Sequence, residues 1–245
     1  IHEKSKELIK IQKKKLKKNN ISWLYNFDDL KNRPSIIVAN EFFDSLAIKQ
    51  FIRLENEWFE RFVGIKDRKK PFFFDKKIDM KKFERKINYK ISNKQNFIEY
   101  SNIGINYLKK ISKIIKKNQG GILIIDYGYF DDKMKNTLQA ISNHNYSNIL
   151  RNIGNSDITH NINFNLFKKI IKKIGGLSES TTNQKKFLIK MGIKERAEII
   201  SKNLPFSKKA DIFFRLKRLI DENQMGDHFK VMFIKNRNNK FNLGF

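Results

Sequence analysis

The sequence predicts an α/β fold on a mostly parallel sheet with helices on both faces, and three features point to it. A helix-period segment, a short strand, a polar connection and a β-branched run follow one another within residues 4–39, the order of βαβ units. Two continuous apolar runs, residues 36–39 and 122–125, have the length of strands buried on both faces. Hydrophobic residues make up 40% of 245 residues, enough for a sizeable core, and no run approaches the roughly 18–20 apolar residues that span a bilayer.

Taken in order, residues 4–19 carry helical periodicity, with Leu8, Ile11, Lys15 and Leu16 on or near one stripe and Asn19-Asn20 as the break. Residues 21–25 read as a short strand, 26–34 as a polar connection and 35–39 as a buried strand. Over 55–98 the pattern changes: residues 58–63 alternate, and Pro71-Phe72-Phe73-Phe74-Asp75 follows a basic turn, which predicts an inserted antiparallel ribbon or cap. Helical periodicity resumes over 99–117 through Ile103, Tyr107, Leu108, Ile111 and Ile115. Gly120-Gly121 ends that helix, and residues 122–125 form a second buried strand closing on Asp126. The pattern loosens after Gly128 until Phe164. Residues 165–174, 186–190, 195–203 and 210–220 then read as helices, and 228–234 as an edge-type strand. The division expected is a core over 1–54 and 99–128, an insert over 55–98, and the rest of the core with substrate-side helices over 129–245. Ile1 leads into a helix at once, so the chain is expected to be part of something longer.

Lys and Arg total 52 against 25 Asp and Glu, a formal +27. Such a charge suits a nucleic-acid partner, but the lysines are spread along the chain together with abundant Asn and Ile, as AT-rich coding bias produces. Nucleic acid therefore stands as an alternative that is not favoured. The chain has no cysteine, which excludes disulfides and thiolate metal sites. His144, His160 and His228 are too scattered for a metal constellation, so no metal is expected.

In open α/β sheets, ligands bind beyond the carboxyl ends of the strands. Three such ends carry polar residues: Glu3, the segment Asn40-Glu41-Phe42-Phe43-Asp44, and Asp126-Tyr127-Gly128. An acid at a strand tip can accept hydrogen bonds from ribose hydroxyls; Glu3 can equally serve a helix start. The 40–44 segment sets an amide, two carboxylates and two aromatics side by side. Paired carboxylates can hold a planar guanidinium in fork geometry while aromatics stack on it; alternatively, Asp44 caps a following helix.

At these residues the sequence resembles the MidA-like family, relatives of the arginine-modifying complex I assembly methyltransferase. The resemblance rests on Ile1-His2-Glu3-Lys4-Ser5 and on Ile37-Val38-Ala39-Asn40-Glu41-Phe42-Phe43-Asp44-Ser45-Leu46. Trp58 with Glu60-Arg61, Gly121 to Gly128, Asp157-Ile158-Thr159 and Met225-Gly226-Asp227-His228-Phe229 follow in the family's order. It implies a class I, Rossmann-like methyltransferase fold with an inserted substrate-binding region, and S-adenosyl-L-methionine as cofactor. It also implies a protein substrate of the respiratory-complex type, methylated on arginine, in a bacterial cytoplasm or a mitochondrial matrix. Glu41 and Asp44 become the expected catalytic pair. Glu3, Trp23, Asn40 and Glu41 would border the cofactor, and Phe42, Phe43, Asp126 and Tyr127 the substrate. Two departures stand out. The family's first strand and glycine-rich loop are not found ahead of Glu3, and Asn161 and Asn163 replace an imidazole and a carboxylate. An RNA methyltransferase and a non-catalytic assembly protein are the alternatives.

Overall fold

In the computed structural model, which describes residues 1–17, 20–30, 33–67, 70–143, 145–151 and 153–245, the first helix is α1 (Lys6–Lys15). Asn19, at the expected break, and His144 lie outside those residues. The Ser5 hydroxyl caps α1 by accepting from the Leu8 N–H at 3.2 Å. Ile9 is its buried residue, while Leu8 and Ile11 stay exposed, so the apolar stripe is rotated from the expected one. The strand expected over 21–25 is reduced to a parallel bridge between Leu24 and His2.

The strand β1 (Ser35–Asn40) follows, then β2 (Lys49–Leu54), β3 (Glu57–Lys66), β4 (Lys70–Ile78) and the helix α2 (Met80–Ile87). Next come β5 (Phe97–Tyr100), α3 (Asn102–Asn118) and β6 (Gly120–Tyr129). Three short strands, β7 (Gln139–Ser142), β8 (Asn145–Ser147) and β9 (Asp157–Thr159), lead to β10 (Ile162–Asn163) and α4 (Phe164–Ile174). The chain ends with β11 (Leu177–Asn183), α5 (Gln184–Lys190), α6 (Ile193–Ser201), α7 (Phe206–Ile220) and β12 (Phe229–Asn236).

The central sheet has the order β1-β6-β12-β11, with β10 pairing alongside β6. β1 and β10 run parallel to β6, but β12 is antiparallel to both β6 and β11. The sheet is thus mixed rather than mostly parallel. β12 is also not at an edge: it lies between β6 and β11, with Val231, Met232 and Ile234 wholly buried. Its edge-like alternation came from His228 and Lys230 at its start, and the Lys230 ammonium bonds the Asp227 carbonyl there.

Helices α3 and α4 pack on each other and on one face of this sheet, through Ile105, Leu108, Ile111, Phe167 and Ile171. That face carries Ile37, Ala39, Ile122, Ile124, Met232 and Ile234, which share a side by register. On the opposite face, α5 and Phe245 cover Phe233 and leave β1 open. Ile36 is 78% and Val38 63% exposed, so β1 is not buried on both faces as its apolar run suggested.

A second sheet, order β4-β3-β2-β5, is antiparallel throughout. It contains the antiparallel ribbon expected over 55–98 and draws β2 and the end of β5 from beyond those bounds. α3 therefore begins at Asn102, capped by Ser101, whose hydroxyl accepts from the Gly104 N–H at 3.0 Å. The loosely patterned stretch after Gly128 contains a small antiparallel sheet, β8-β7-β9.

Gly120 makes the turn from α3 into β6 at φ +98°, and a Cβ there would lie 2.0 Å from the Ser35 carbonyl oxygen. Both the left-handed backbone and the backbone clash oppose a side chain. Gly120→Ala is expected to cost at least about 3 kcal/mol, read as a lowered midpoint in urea unfolding.

Candidate functional site

The ends of β1 and β6 and the bridged His2 bring the expected polar residues to one end of the central sheet. After β1 the chain turns at Glu41, whose φ is +46° and whose N–H donates to the Ile125 carbonyl at 3.0 Å. The following loop is gathered on one carboxylate. Asp126 Oδ2 accepts from the N–H groups of Phe42, Phe43 and Asp44 at 3.3, 2.9 and 3.4 Å. Its Oδ1 accepts from the Tyr127 N–H at 3.0 Å. Asp126 is 0% exposed, so it shapes the loop from beneath and reaches no substrate directly.

The other expected residues divide between surface and interior. Glu41 is exposed, and Asn40 donates to it at 3.4 Å. Asp44 is only 4% exposed, and its Oδ1 has no hydrogen-bond partner among the described residues. It caps no helix; its carbonyl accepts from the His160 N–H at 3.1 Å. Phe43 is a core residue packed on Phe167 and so lies behind the entrance it was expected to shape. Phe42 and Tyr127 are half-buried, Tyr127 with its ring 4.0 Å from that of Phe229.

Glu3 and Trp23 are joined by a residue whose part the sequence did not reveal. Gln12 on α1 accepts from the Trp23 indole N–H at 2.8 Å and donates to Glu3 Oε2 at 3.4 Å. Glu3 Oε1 accepts from the N–H groups of Lys4 and Ser5 at 2.7 and 2.9 Å. A row of rings links this cluster to the 40–44 loop: His2 packs on Tyr107 at 5.8 Å, and Tyr107 on Phe42 at 5.2 Å. That row connects the segment bearing Glu3 with the loop bearing Glu41 and Asp44.

Glu99 also escaped notice. It is buried in β5 and accepts from the Gln50 amide, from the N–H groups of Thr137 and Leu138, and from the Thr137 hydroxyl. The only signal was a lone acid within Phe97-Ile98-Glu99-Tyr100. Asn163 serves the fold, since its Oδ1 caps α4 at the Leu166 N–H and its amide donates to the Asp131 carbonyl. An ionised carboxylate could not make the second bond.

Burial sets the electrostatics. It pushes Asp44 up to about 6, with the Glu41 charge adding to the rise. It pushes Asp126 up to about 8, with Asp44 adding, against the pull of the backbone N–H donors. Folded carboxyls with raised values hold protons that the unfolded chain has lost. Their contribution to stability is therefore complete below about pH 4 and disappears as the pH rises through about 6 and then about 8. Thermal unfolding across that range is expected to show wild-type stability falling more steeply than that of Asp44→Asn.

A family described as "putative S-adenosyl-L-methionine-dependent methyltransferase" matches residues 1–181. The chain is 27% identical over 221 residues to the zebrafish (Danio rerio) "Protein arginine methyltransferase NDUFAF7, mitochondrial", covering 88% of this chain and 51% of that one. It is 24% identical over 221 residues to the human protein of the same name, covering 85% and 47%. The chain thus spans about half the length of these curated relatives. Two Burkholderia thailandensis structures share its fold. An uncharacterized COG1565 superfamily protein has TM-score 0.82 at 21% identity, covering 100% of this chain and 67% of that one. A COG1565 superfamily member bound to S-adenosyl-homocysteine has TM-score 0.79 at 20% identity, covering 100% and 65%.

Proposed function

The chain belongs to this S-adenosyl-L-methionine-dependent methyltransferase family, and on that premise we propose that it methylates arginine in a protein substrate. S-adenosyl-L-methionine is the family's cofactor and, when bound, supplies an electrophilic methyl group on sulfonium sulfur. The residues present fit its adenosine part. Glu3 Oε2 takes a single long bond from Gln12 and keeps lone pairs for ribose hydroxyls. Trp23, steadied by the same Gln12, offers a flat apolar surface to the adenine, and Asn40 with Glu41 borders the other side.

The observation that carries the arginine assignment is the pair of carboxylates on one short loop, Glu41 exposed and Asp44 buried with Oδ1 unpartnered among the described residues. A guanidinium is planar and cationic, and two acceptors fix it in one orientation. Glu41 takes one N–H edge at the surface, the Asp44 carboxylate just beneath the loop adds its charge to the hold, and Phe42 and Tyr127 border the entrance. Holding the guanidinium so that a nitrogen lone pair faces the methyl donor is catalysis by positioning and electrostatics.

The relatives named as protein arginine methyltransferases support the same substrate class. Their naming as mitochondrial supports a mitochondrial matrix, or by descent a bacterial cytoplasm, and the family resemblance supports a substrate of the respiratory-complex type. Among the described residues no helix is long and apolar enough to cross a membrane. A cleft of about 560 Å³ lies between the His2–Leu24 bridge and β1, lined by Ile1, Phe27, Ile37 and Val38, on the open side of β1.

The test is transfer of tritiated methyl from S-adenosyl-L-methionine in a cell extract, followed by acid hydrolysis. Label in methylated arginine is the expected result. Label in nucleic acid alone would overturn the assignment for an RNA substrate, and label nowhere would leave the non-catalytic alternative.

A further inference from the structure

The hairpin of β3 and β4 carries unequal faces. Register places Glu60, Phe62, Gly64, Lys66, Lys70, Phe72, Phe74 and Lys76 on one face and Glu57, Arg61, Val63, Ile65, Phe73, Asp75 and Lys77 on the other. Side-chain contacts agree. Phe62 stacks on Phe74 at 5.6 Å, Phe72 lies 5.9 Å from Phe74, and the missing side chain of Gly64 lets Phe72 and Phe74 lean over its backbone. On the other face Arg61 makes a two-bond ion pair with Asp75 and sits over Phe73, and Lys77 pairs with Glu57.

Charge is therefore balanced on the second face and unbalanced on the first. There Glu60 is taken by Lys49, while Lys66, Lys70 and Lys76 have no ion-pair partner among the described residues. Lys66 and Lys70 stand directly opposite each other across the strands, a like-charge pairing that costs stability and that an anion would relieve. The apolar side chains are not covered either. Val63 is 55%, Ile65 69%, and Phe72, Phe73 and Phe74 43, 38 and 42% exposed. Exposed apolar surface on this scale, beside polar groups, marks an interaction site.

We propose that this hairpin is a docking arm for an acidic protein segment that pairs along β4, the edge strand of its sheet, so that its alternate side chains fall on the two faces, carboxylates toward Lys66, Lys70 and Lys76 on one and apolar side chains toward Val63, Ile65 and Phe73 on the other. A second copy of the chain is disfavoured because each copy carries +27 and would set lysine against lysine. A nucleic-acid strand would use the lysines and the phenylalanines of one face but gain nothing from Val63 and Ile65 on the other. An acidic partner with aliphatic residues uses both. The arm does not depend on the methyl-transfer assignment.

The test is fluorescence anisotropy at physiological salt with two labelled probes, a synthetic peptide alternating glutamate with valine and a single-stranded oligouridylate of similar length. Three proteins are compared: wild type, Lys66→Gln/Lys70→Gln/Lys76→Gln, and the equal-charge control Lys113→Gln/Lys116→Gln/Lys117→Gln on α3. The expected result is peptide binding weakened about tenfold or more by the hairpin triple and less than about twofold by the control. Val63→Ser/Ile65→Ser, which removes no charge, is expected to weaken it about fivefold or more. Equal losses in the two lysine triples would reduce the effect to overall charge and overturn the proposal. So would no peptide binding, or hairpin-dependent binding of the oligouridylate alone.

Discussion

Glu41→Gln is expected to lower the methyl-transfer rate about 10²–10³-fold while changing cofactor affinity less than about threefold. The substitution keeps size and one acceptor oxygen but removes the charge that would orient a guanidinium. Gln also places an N–H donor where the substrate presents only donors. Glu41 lies at the left-handed turn after β1, outside the core, so folding should be spared and the loss should fall on kcat rather than on thermal stability. Steady-state kinetics with S-adenosyl-L-methionine, alongside a melting curve, separates the two. An unchanged kcat would remove Glu41 from the catalytic pair. Asp44→Asn would then test whether the buried Asp44 charge alone suffices.

Asp126→Ala is expected to destabilise the fold by about 3 kcal/mol, a fall in Tm of about 6–12 °C for a chain of this size, and to abolish methyl transfer in the protein that remains folded. The reason is geometric. One carboxylate gathers the N–H groups of Phe42, Phe43, Asp44 and Tyr127, and without it the buried donors of Phe43 and Asp44 lose their acceptor. Some of the loss is offset because a buried carboxyl with a raised pKa is itself costly to hold. Asp126→Asn keeps one acceptor oxygen and turns an amide toward the remaining donors, so it should fall between wild type and Ala. Equal stability of Ala and wild type, by thermal unfolding, would show that the loop is held by other contacts.

The parts of this site that sequence made visible are those written in consecutive residues. Asn40 to Asp44 sets its acids and rings side by side after a β-branched run, so strand, turn and acid cluster are read together. What escaped depends on pairing between distant segments. Whether β12 is central or at an edge is decided by the β6 and β11 neighbours it finds, and the polar His228 and Lys230 mimicked an edge. The exposure of Ile36 and Val38 on β1 follows from which helices cover which face, and an apolar run says nothing of that. Gln12 and Glu99 owe their roles to partners far along the chain, Gln12 to Trp23 and Glu99 to Gln50 and Thr137. Asp126 was legible as a strand-end acid, but its buried direction was set by the alternation of β6, which puts it on the side of Ile122 and Ile124.

The most direct test of the account is calorimetric titration of S-adenosyl-L-methionine into the wild-type protein and into Glu3→Ala. Binding by the wild type, weakened about tenfold or more in Glu3→Ala, is the predicted result. No binding to the wild type, or equal binding to both proteins, would contradict it.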